Sequence, residues 1–390
     1  MMKQPTIGLA LSGGGSRAMA FHLGCLRALH DRGVLDKVSV LSGVSGGSVI
    51  AALYAYHDET FEEFERRVER VLARGMVWGI AREIFLSTET LRILAAILVA
   101  GSAAIFGRIV QAAAIPLGWL RLTGPRTRSL LQRLSSPIPR FASRTTAFER
   151  YLTRAHFGKT HLGEVKKRDL KVVINAAELR TETAFRFGSL ESGCWRFGRL
   201  TEPPKVATAV AASAAFPAFL PAIDRTLSFV HKNKENRHRV LITDGGVYDN
   251  LGISCMLPGR SSEFSTNAFP VDFIIACDAG QGMPEGTRRP YFLGARMLAT
   301  IFTIHRRTQS MSFDLLHRMV KSGEIAGFLL PYLGMNDKHI PAAPSDLVPR
   351  DETASYPTNF NPMPEESLRK LSKRGEQITA SLIDVYAPHL

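Results

Sequence analysis

Short apolar runs alternate with amphipathic segments along the first part of the chain. Residues 7–11 and 38–41 are apolar runs of strand length, and a segment of helical character follows each. The first of these helices extends to about Arg32, where Gly33 provides a C-terminal cap. Strands joined through helices predict a parallel α/β sheet whose functional loops lie at the carboxyl ends of its strands.

The same kinds of pattern continue to the end of the chain. Further strands are predicted at residues 170–175, 184–188, 194–198, 240–243 and 271–277. Further helices are predicted at residues 60–74, 204–213 and 291–321, and a last helix follows the proline-rich stretch 341–364. These patterns predict a main α/β domain over residues 5–330 with an insertion at 76–145, and a segment 331–390 packed on it.

The insertion differs in composition from the rest of the chain. Residues 90–148 contain no Asp or Glu and eight arginines. Arg108 divides the apolar part into runs at 93–107 and 109–120, each shorter than the roughly 20 apolar residues that a transmembrane helix needs. Apolar segments flanked by arginines are typical of an element that binds an anionic membrane surface, or of a lid. The alternative is a helical hairpin packed on the core.

Composition narrows the classes of partner. The 390 residues are 45% apolar and 22% charged, which is typical of a globular protein, and the net charge of +14 indicates an anionic partner. Nucleic acid is not expected, because the basic window lacks interleaved aromatic residues. The four cysteines are scattered along the chain, which predicts reduced residues in the core. The N-terminus lacks the pattern of a cleavable signal peptide. We expect a cytoplasmic protein that associates peripherally with membranes.

The pentapeptide Gly43-Val44-Ser45-Gly46-Gly47 lies between a predicted strand and a predicted helix. G-x-S-x-G at that place puts a serine hydroxyl on a sharp turn, and the glycines permit the backbone angles and leave space around it. Ser45 is therefore the candidate nucleophile. The alternative is a plain glycine-rich turn with an inert serine.

A second glycine-rich loop follows the first strand. Gly13, Gly14 and Gly15 can present successive backbone amides to a developing oxyanion, helped by the N-terminus of the following helix. Arg17 adds positive charge there or holds the loop in place, unless it is an ordinary surface residue. This loop is the candidate oxyanion hole.

The base requires an acidic residue or a histidine at another strand end. Asp244 follows an apolar strand and precedes Gly245 and Gly246, so it projects from a tight turn, although Asp-Gly turns are also common without function. Asp278 is the second choice. A Ser-Asp-His triad with His305 is the alternative, but His305 lies inside a predicted helix.

Four motifs together resemble the patatin-like phospholipases. They are S-G-G-G-S-R at 12–17, G-V-S-G-G-S at 43–48, A-S-A-A-F-P at 212–217 and D-G-G-V-Y-D-N at 244–250. The resemblance covers about residues 5–75 and 145–280. It implies a three-layer α/β/α fold, a Ser45–Asp244 dyad without histidine, and lipid acyl hydrolysis of phospholipids, lysophospholipids or glycerides. Such enzymes typically need no metal, and no cofactor is expected.

Two rival functions use the same motifs. Residues 13–18 fit the G-x-G-x-x-A fingerprint of dinucleotide sites, but the second strand lacks the acidic residue that such sites need. The other rival is a non-catalytic lipid-binding protein on the same fold, against which the intact Ser45 and Asp244 argue.

Overall fold

The computed structural model describes residues 5–116, 124–134, 136–217, 219–261, 263, 265–283, 286 and 289–390. Its strands, numbered β1 to β10 in chain order, are Ile7–Leu11, Val38–Val44, Lys171–Glu178, Thr183–Gly188, Ser192–Cys194, Gly198–Leu200, Ile223–His231, Lys234–Asp244, Phe273–Cys277 and Gly327–Leu329. Its α-helices, numbered α1 to α12, are Gly15–Asp31, Gly46–Ala55, Phe61–Arg74, Val77–Phe85, Thr88–Ala96, Ser102–Ala113, Pro125–Leu134, Arg144–Leu152, Val206–Ser213, Gly246–Asp249, Leu293–Ser322 and Glu365–Tyr386.

One sheet carries all ten strands, in the order β10-β9-β1-β2-β3-β4-β5-β6-β7-β8. The five strands from β10 to β3 run parallel, which confirms the predicted α/β sheet. Their carboxyl ends therefore meet at one edge, as expected for such a sheet. The loops after β1 and β2 both lie there.

The strands from β4 to β8 extend the sheet in antiparallel fashion, and β8 returns to pair with β3. β8 is much longer than the predicted strand at 240–243, and its partner β7 was not predicted at all. Both strands carry polar residues over their exposed outer part, so the short apolar run marked only the buried end of β8. The predicted strand at 194–198 consists of the last residue of β5, a turn and the first residue of β6.

The last helix completes the core on one face of the sheet. α12 lies across α1 so closely that a Cβ on Gly24 would be 1.7 Å from the carbonyl oxygen of Ser372. A Cβ on Gly375 would likewise be 2.2 Å from the carbonyl oxygen of Phe21. The glycines permit this approach of two helix backbones, and α1 is buried along almost its whole length as a result.

The insertion is helical, but Arg108 does not divide it as expected. α5, a π-helical turn at Ile97–Gly101 and α6 form a single 26-residue helix, Thr88–Ala113. Within the described residues, this helix alone is long and apolar enough to cross a membrane by length and composition. Most of its apolar side chains are exposed, and Leu98 reaches 71%. Residues 117–120 of the predicted second run lie outside the described residues.

Buried carboxylates anchor the base of the insertion to α8. Glu83 on α4 is inaccessible to solvent and lies 3.0 Å from Arg150 and 2.9 Å from Arg154. Glu89, also buried, accepts a hydrogen bond of 2.5 Å from the hydroxyl of Thr146. A carboxylate buried with its cationic partners is costly to separate from them. The base of the insertion is therefore fixed, whereas its apolar face lies open.

The four cysteines are free and buried, as predicted. Cys25 on α1 and Cys277 on β9 meet beside His22, with their ligand-type atoms all within 4.8 Å of one another. Nε2 of His22 donates to the carbonyl oxygen of Ser12 at 3.0 Å, which ties α1 to the end of β1. The His22 side chain thus holds the residue that precedes the glycine loop.

Candidate active site

Ser45 occupies a strained turn between β2 and α2. Its φ of 50° lies in a region that L-residues other than glycine rarely adopt. Strain of this kind persists only where the surroundings hold it, and it is the conformation expected of a nucleophile elbow. The strand–turn–helix order predicted from the pentapeptide is therefore present.

Close backbone contacts explain the glycines around Ser45. A Cβ on Gly46 would lie 2.2 Å from the carbonyl oxygen of Gly15, and one on Gly47 would lie 2.2 Å from that of Leu11. A Cβ on Gly43 would lie 2.7 Å from Cα of Ser48. Such distances are too short for any side chain. The elbow is thus packed directly against the loop that follows β1.

Asp244 reaches the same place from the antiparallel part of the sheet. Val44 pairs with Asn175 and Asp244 pairs with Ala176, which are consecutive residues of β3. Strand β3 therefore brings Ser45, the residue after Val44, beside Asp244. The Ser45 hydroxyl lies close enough to the Asp244 carboxyl group to lower its pKa.

The Asp244 carboxyl group is buried, with only 2% of the residue exposed. Burial raises the pKa of Asp244 to about 7, against the lowering effects of a hydrogen bond from the Gly246 amide and of the neighbouring Ser45 hydroxyl. The Gly246 amide donates to Oδ1 at 2.7 Å and fixes the carboxyl group. A Cβ on Gly245 would meet the carbonyl oxygen of Asn175 at 2.3 Å, so the tight turn after Asp244 requires glycine.

The glycine loop lies beside Ser45, but only part of it is free to donate. The Gly13 amide donates to the carbonyl oxygen of Asn250 at 3.2 Å, so the expectation that Gly13 offers a free amide is wrong. Among the described residues, no acceptor is found for the amides of Gly14 and Gly15. Both have positive φ, 147° and 60°. Gly13 instead provides space, since a Cβ there would lie 2.5 Å from Oδ1 of Asn250.

Arg17 is not a surface residue. Its guanidinium is buried and donates to the carbonyl oxygens of Ala279 at 3.0 Å and Tyr356 at 2.8 Å. Burial lowers the pKa of Arg17 to about 10, and the nearby Asp278 opposes that shift. Arg17 therefore remains charged at neutral pH and ties the start of α1 to the loop after β9 and to the C-terminal segment.

The two alternative bases have other partners. Asp278 accepts a hydrogen bond from the Gly280 amide at 2.8 Å and another from Gln309. His305 lies on helix α11, as predicted, and its Nδ1 donates to the carbonyl oxygen of Gly246 at 3.1 Å. Burial lowers the pKa of His305, which keeps the ring neutral near pH 7. The described contacts of His305 are thus with the backbone beside Asp244.

Two supporting residues were not singled out from the sequence, although both lie inside the quoted motifs. The hydroxyl of Ser213 accepts a hydrogen bond of 3.0 Å from the Ser45 amide and holds the strained turn. Asn250 holds the glycine loop through its carbonyl oxygen. These roles depend on contacts between distant segments. The motifs by themselves therefore gave no signal that singled out Ser213 or Asn250.

Comparison with known proteins places this chain within a family. The family model of the patatin-like phospholipases matches residues 9–256. The lysophospholipase NTE1 of Mycosarcoma maydis is 37% identical over 79 residues, 20% of this chain and 4% of that protein. That of Pyricularia oryzae is 33% identical over 79 residues, 20% of this chain and 5% of that protein. The chain thus spans only a small part of these relatives.

A solved structure supports the fold. Human GIVD cytosolic phospholipase A2 superimposes with a TM-score of 0.52 at 15% identity, over 97% of this chain and 58% of that chain. The family match includes β1 from Leu9 onward, the Ser45 turn, β3 and the end of β8, which together form the site described above. The chain belongs to the patatin-like phospholipase family.

Proposed function

We propose that this protein is a lipid acyl hydrolase that cleaves carboxylic esters of glycerolipids through an acyl-enzyme on Ser45. The observation that carries the proposal is the strained Ser45 turn, which strand β3 places beside the buried Asp244. The family match supports a lipid substrate for this pair. We further propose Asp244 as the base and the amides of Gly14 and Gly15 as the oxyanion donors.

In the first step, Oγ of Ser45 attacks the acyl carbonyl carbon while its proton passes to the Asp244 carboxylate. The carbonyl oxygen becomes an oxyanion, which the amides of Gly14 and Gly15 stabilise. Removing one such donor typically costs about 2.7 to 4 kcal/mol of barrier. When the intermediate collapses, the ester C–O bond breaks and Asp244 returns the proton to the leaving alcohol.

In the second step, water attacks the acyl-enzyme and gives its proton to Asp244. The new tetrahedral intermediate collapses, the fatty acid leaves and Ser45 regains its proton. A carboxylate whose pKa lies near neutrality suits both directions of transfer, because it accepts a proton and releases it at the same pH. The raised pKa of the buried Asp244 provides that match.

The test of this function is a hydrolysis panel of phospholipids, lysophospholipids and di- and triacylglycerols, each with labelled acyl chains. We expect release of free fatty acid from at least one class, without added metal ions. Labelling by a fluorophosphonate that carries an alkyl chain should follow the same preference. Folded protein that releases no fatty acid from any class and takes up no label would instead be a lipid-binding member of the family.

We also propose that the insertion brings the protein to an anionic membrane surface, where it associates peripherally. The support is the exposed apolar face of Thr88–Ala113, together with the arginines of residues 90–148 and their lack of acidic residues. Attraction of each cation to an anionic leaflet adds about 1 kcal/mol.

Polar substitutions test this role better than a deletion. Removing residues 90–148 would also remove Phe148, which is fully buried in the core. We expect Leu98→Gln with Phe106→Gln to weaken binding to anionic vesicles about tenfold or more, since burying each such side chain contributes about 1.5–3 kcal/mol. Hydrolysis of a small soluble ester should not change. If the wild type and the double variant bind vesicles equally in a flotation assay, the packed-hairpin alternative is favoured for this segment.

A further inference from the structure

A second apolar and basic segment lies beyond the part of the chain that the family model matches. Residues 286–313 contain five arginines and no Asp or Glu. They include the N-terminal half of helix α11, whereas the family match ends at residue 256. Nothing in the proposed reaction uses this segment.

The two halves of α11 have different environments. In the C-terminal half, Leu316 and Met319 are buried in an apolar cluster beneath the sheet. In the N-terminal half, Leu293, Met297, Ile301 and Ile304 are between 41% and 76% exposed. Their spacing of four, four and three places them on one side of the helix. The helix is thus anchored at one end and carries an uncovered apolar stripe at the other.

The uncovered half of α11 lies at the edge of the proposed active site. The ring of Phe302 stacks on that of Phe216, with centroids 6.3 Å apart and planes inclined by 13°. Phe216 follows Ala215, whose carbonyl oxygen accepts the Asp244 amide at 3.1 Å. One turn further along, His305 is hydrogen-bonded to Gly246. Phe302 and His305 therefore hold one side of this helix against residues that border Asp244, and the exposed apolar stripe lies on a different side.

The chemistry of this surface indicates its partner. Tyr291 and Phe292, both 77% exposed, precede the stripe, and Arg296 and Arg307 lie on a neighbouring side of the same helix. An apolar stripe beside arginines, with aromatic residues at one end, is the pattern of a helix that lies in the interface of an anionic membrane. Self-association through this face would bring like charges together, and the whole chain already carries a net charge of +14.

We propose that residues 291–304 dock on an anionic phospholipid surface and thereby hold the proposed active site near it. The purpose of this docking rests on the proposed lipid hydrolysis, but the docking itself requires no catalysis. It is also independent of the insertion, which is a different segment of the chain.

The test measures vesicle binding by the full chain carrying Ser45→Ala, so that no lipid is consumed. Vesicles of phosphatidylcholine with phosphatidylserine are compared with vesicles of phosphatidylcholine alone. We expect Met297→Glu with Ile301→Glu to weaken binding to the anionic vesicles at least tenfold. Arg296→Gln with Arg307→Gln should weaken it about fivefold per arginine, and only where phosphatidylserine is present. The matched control is Val385→Glu with Tyr386→Glu at the end of α12, which should bind normally.

The outcomes separate this proposal from the proposed function. Vesicle binding that depends on α11 supports docking even if no lipid in the hydrolysis panel is cleaved. Lipid hydrolysis with vesicle binding that is unchanged by the α11 substitutions overturns docking and leaves the function in place. Loss of vesicle binding in the α12 control as well would overturn docking. Docking would also be overturned if light scattering showed that the α11 substitutions change the molecular mass, because α11 would then join two copies of the chain.

Discussion

Replacing Ser45 with alanine is expected to lower the rate of ester hydrolysis by about four orders of magnitude or more, because no other group takes over a missing nucleophile. The fold should remain intact. The Ser45 side chain is small, and the turn is held by a hydrogen bond from the Ser45 amide to Ser213 that alanine preserves. The measurement is fatty acid release from the best lipid of the panel, with circular dichroism and melting temperature as checks of folding.

The matched control is Ser39→Ala on the same strand. The Ser39 hydroxyl donates to the carbonyl oxygen of Ile7 at 3.0 Å, at the opposite end of β2 from the site. Its loss should cost about 1 kcal/mol of stability and leave the turnover rate near that of the wild type. Ser45→Ala protein that is folded and keeps a tenth of the activity would exclude the acyl-enzyme on Ser45.

Replacing Asp244 with asparagine is expected to lower hydrolysis by about 10²- to 10⁴-fold, the usual contribution of a general base. Asparagine has nearly the same shape and can still accept the Gly246 amide, but it cannot take the Ser45 proton. Because burial disfavours the charged carboxylate, the neutral side chain should not lower the melting temperature above pH 7. Kinetics on a small soluble ester separate this effect from any change in membrane binding.

The pH profile of the wild type provides the companion measurement. Asp244 acts as a base only when ionised, so the kcat/KM should rise with pH and level off above the pKa of Asp244, which is raised to about 7. The residual activity of Asp244→Asn should lack this step. A wild-type profile that is flat between pH 5 and 8 would contradict the assignment of Asp244.

His305→Ala distinguishes the dyad from a triad in the same assay. The described hydrogen bond of His305 is to the backbone of Gly246, so its removal should lower hydrolysis of the soluble ester by less than tenfold. A loss as large as that of Asp244→Asn would make His305 the base and Asp244 its partner.

The local pattern of apolar and polar residues was sufficient to predict the parallel half of the sheet. The runs that became β1, β2 and β3 are apolar because both faces of a parallel sheet are covered, and the glycine after each of the first two marks a turn. It failed for β7 and the outer part of β8, where an antiparallel hairpin in solvent leaves no apolar run to detect. It also failed at Arg108, since a single arginine on the exposed side of a helix does not interrupt its backbone hydrogen bonds.

By itself, the sequence determined which chemical groups the protein contains: a serine and an aspartate at two strand ends, a glycine loop, and an insertion rich in arginine. The tertiary structure decided which of these groups meet. Adjacent pairing on β3 puts Asp244 beside Ser45, and a bond to Asn250 occupies the amide of Gly13. The same folding carries the apolar half of α11 to the rim of the site. These are contacts between residues far apart in the chain, and local periodicity holds no information about them.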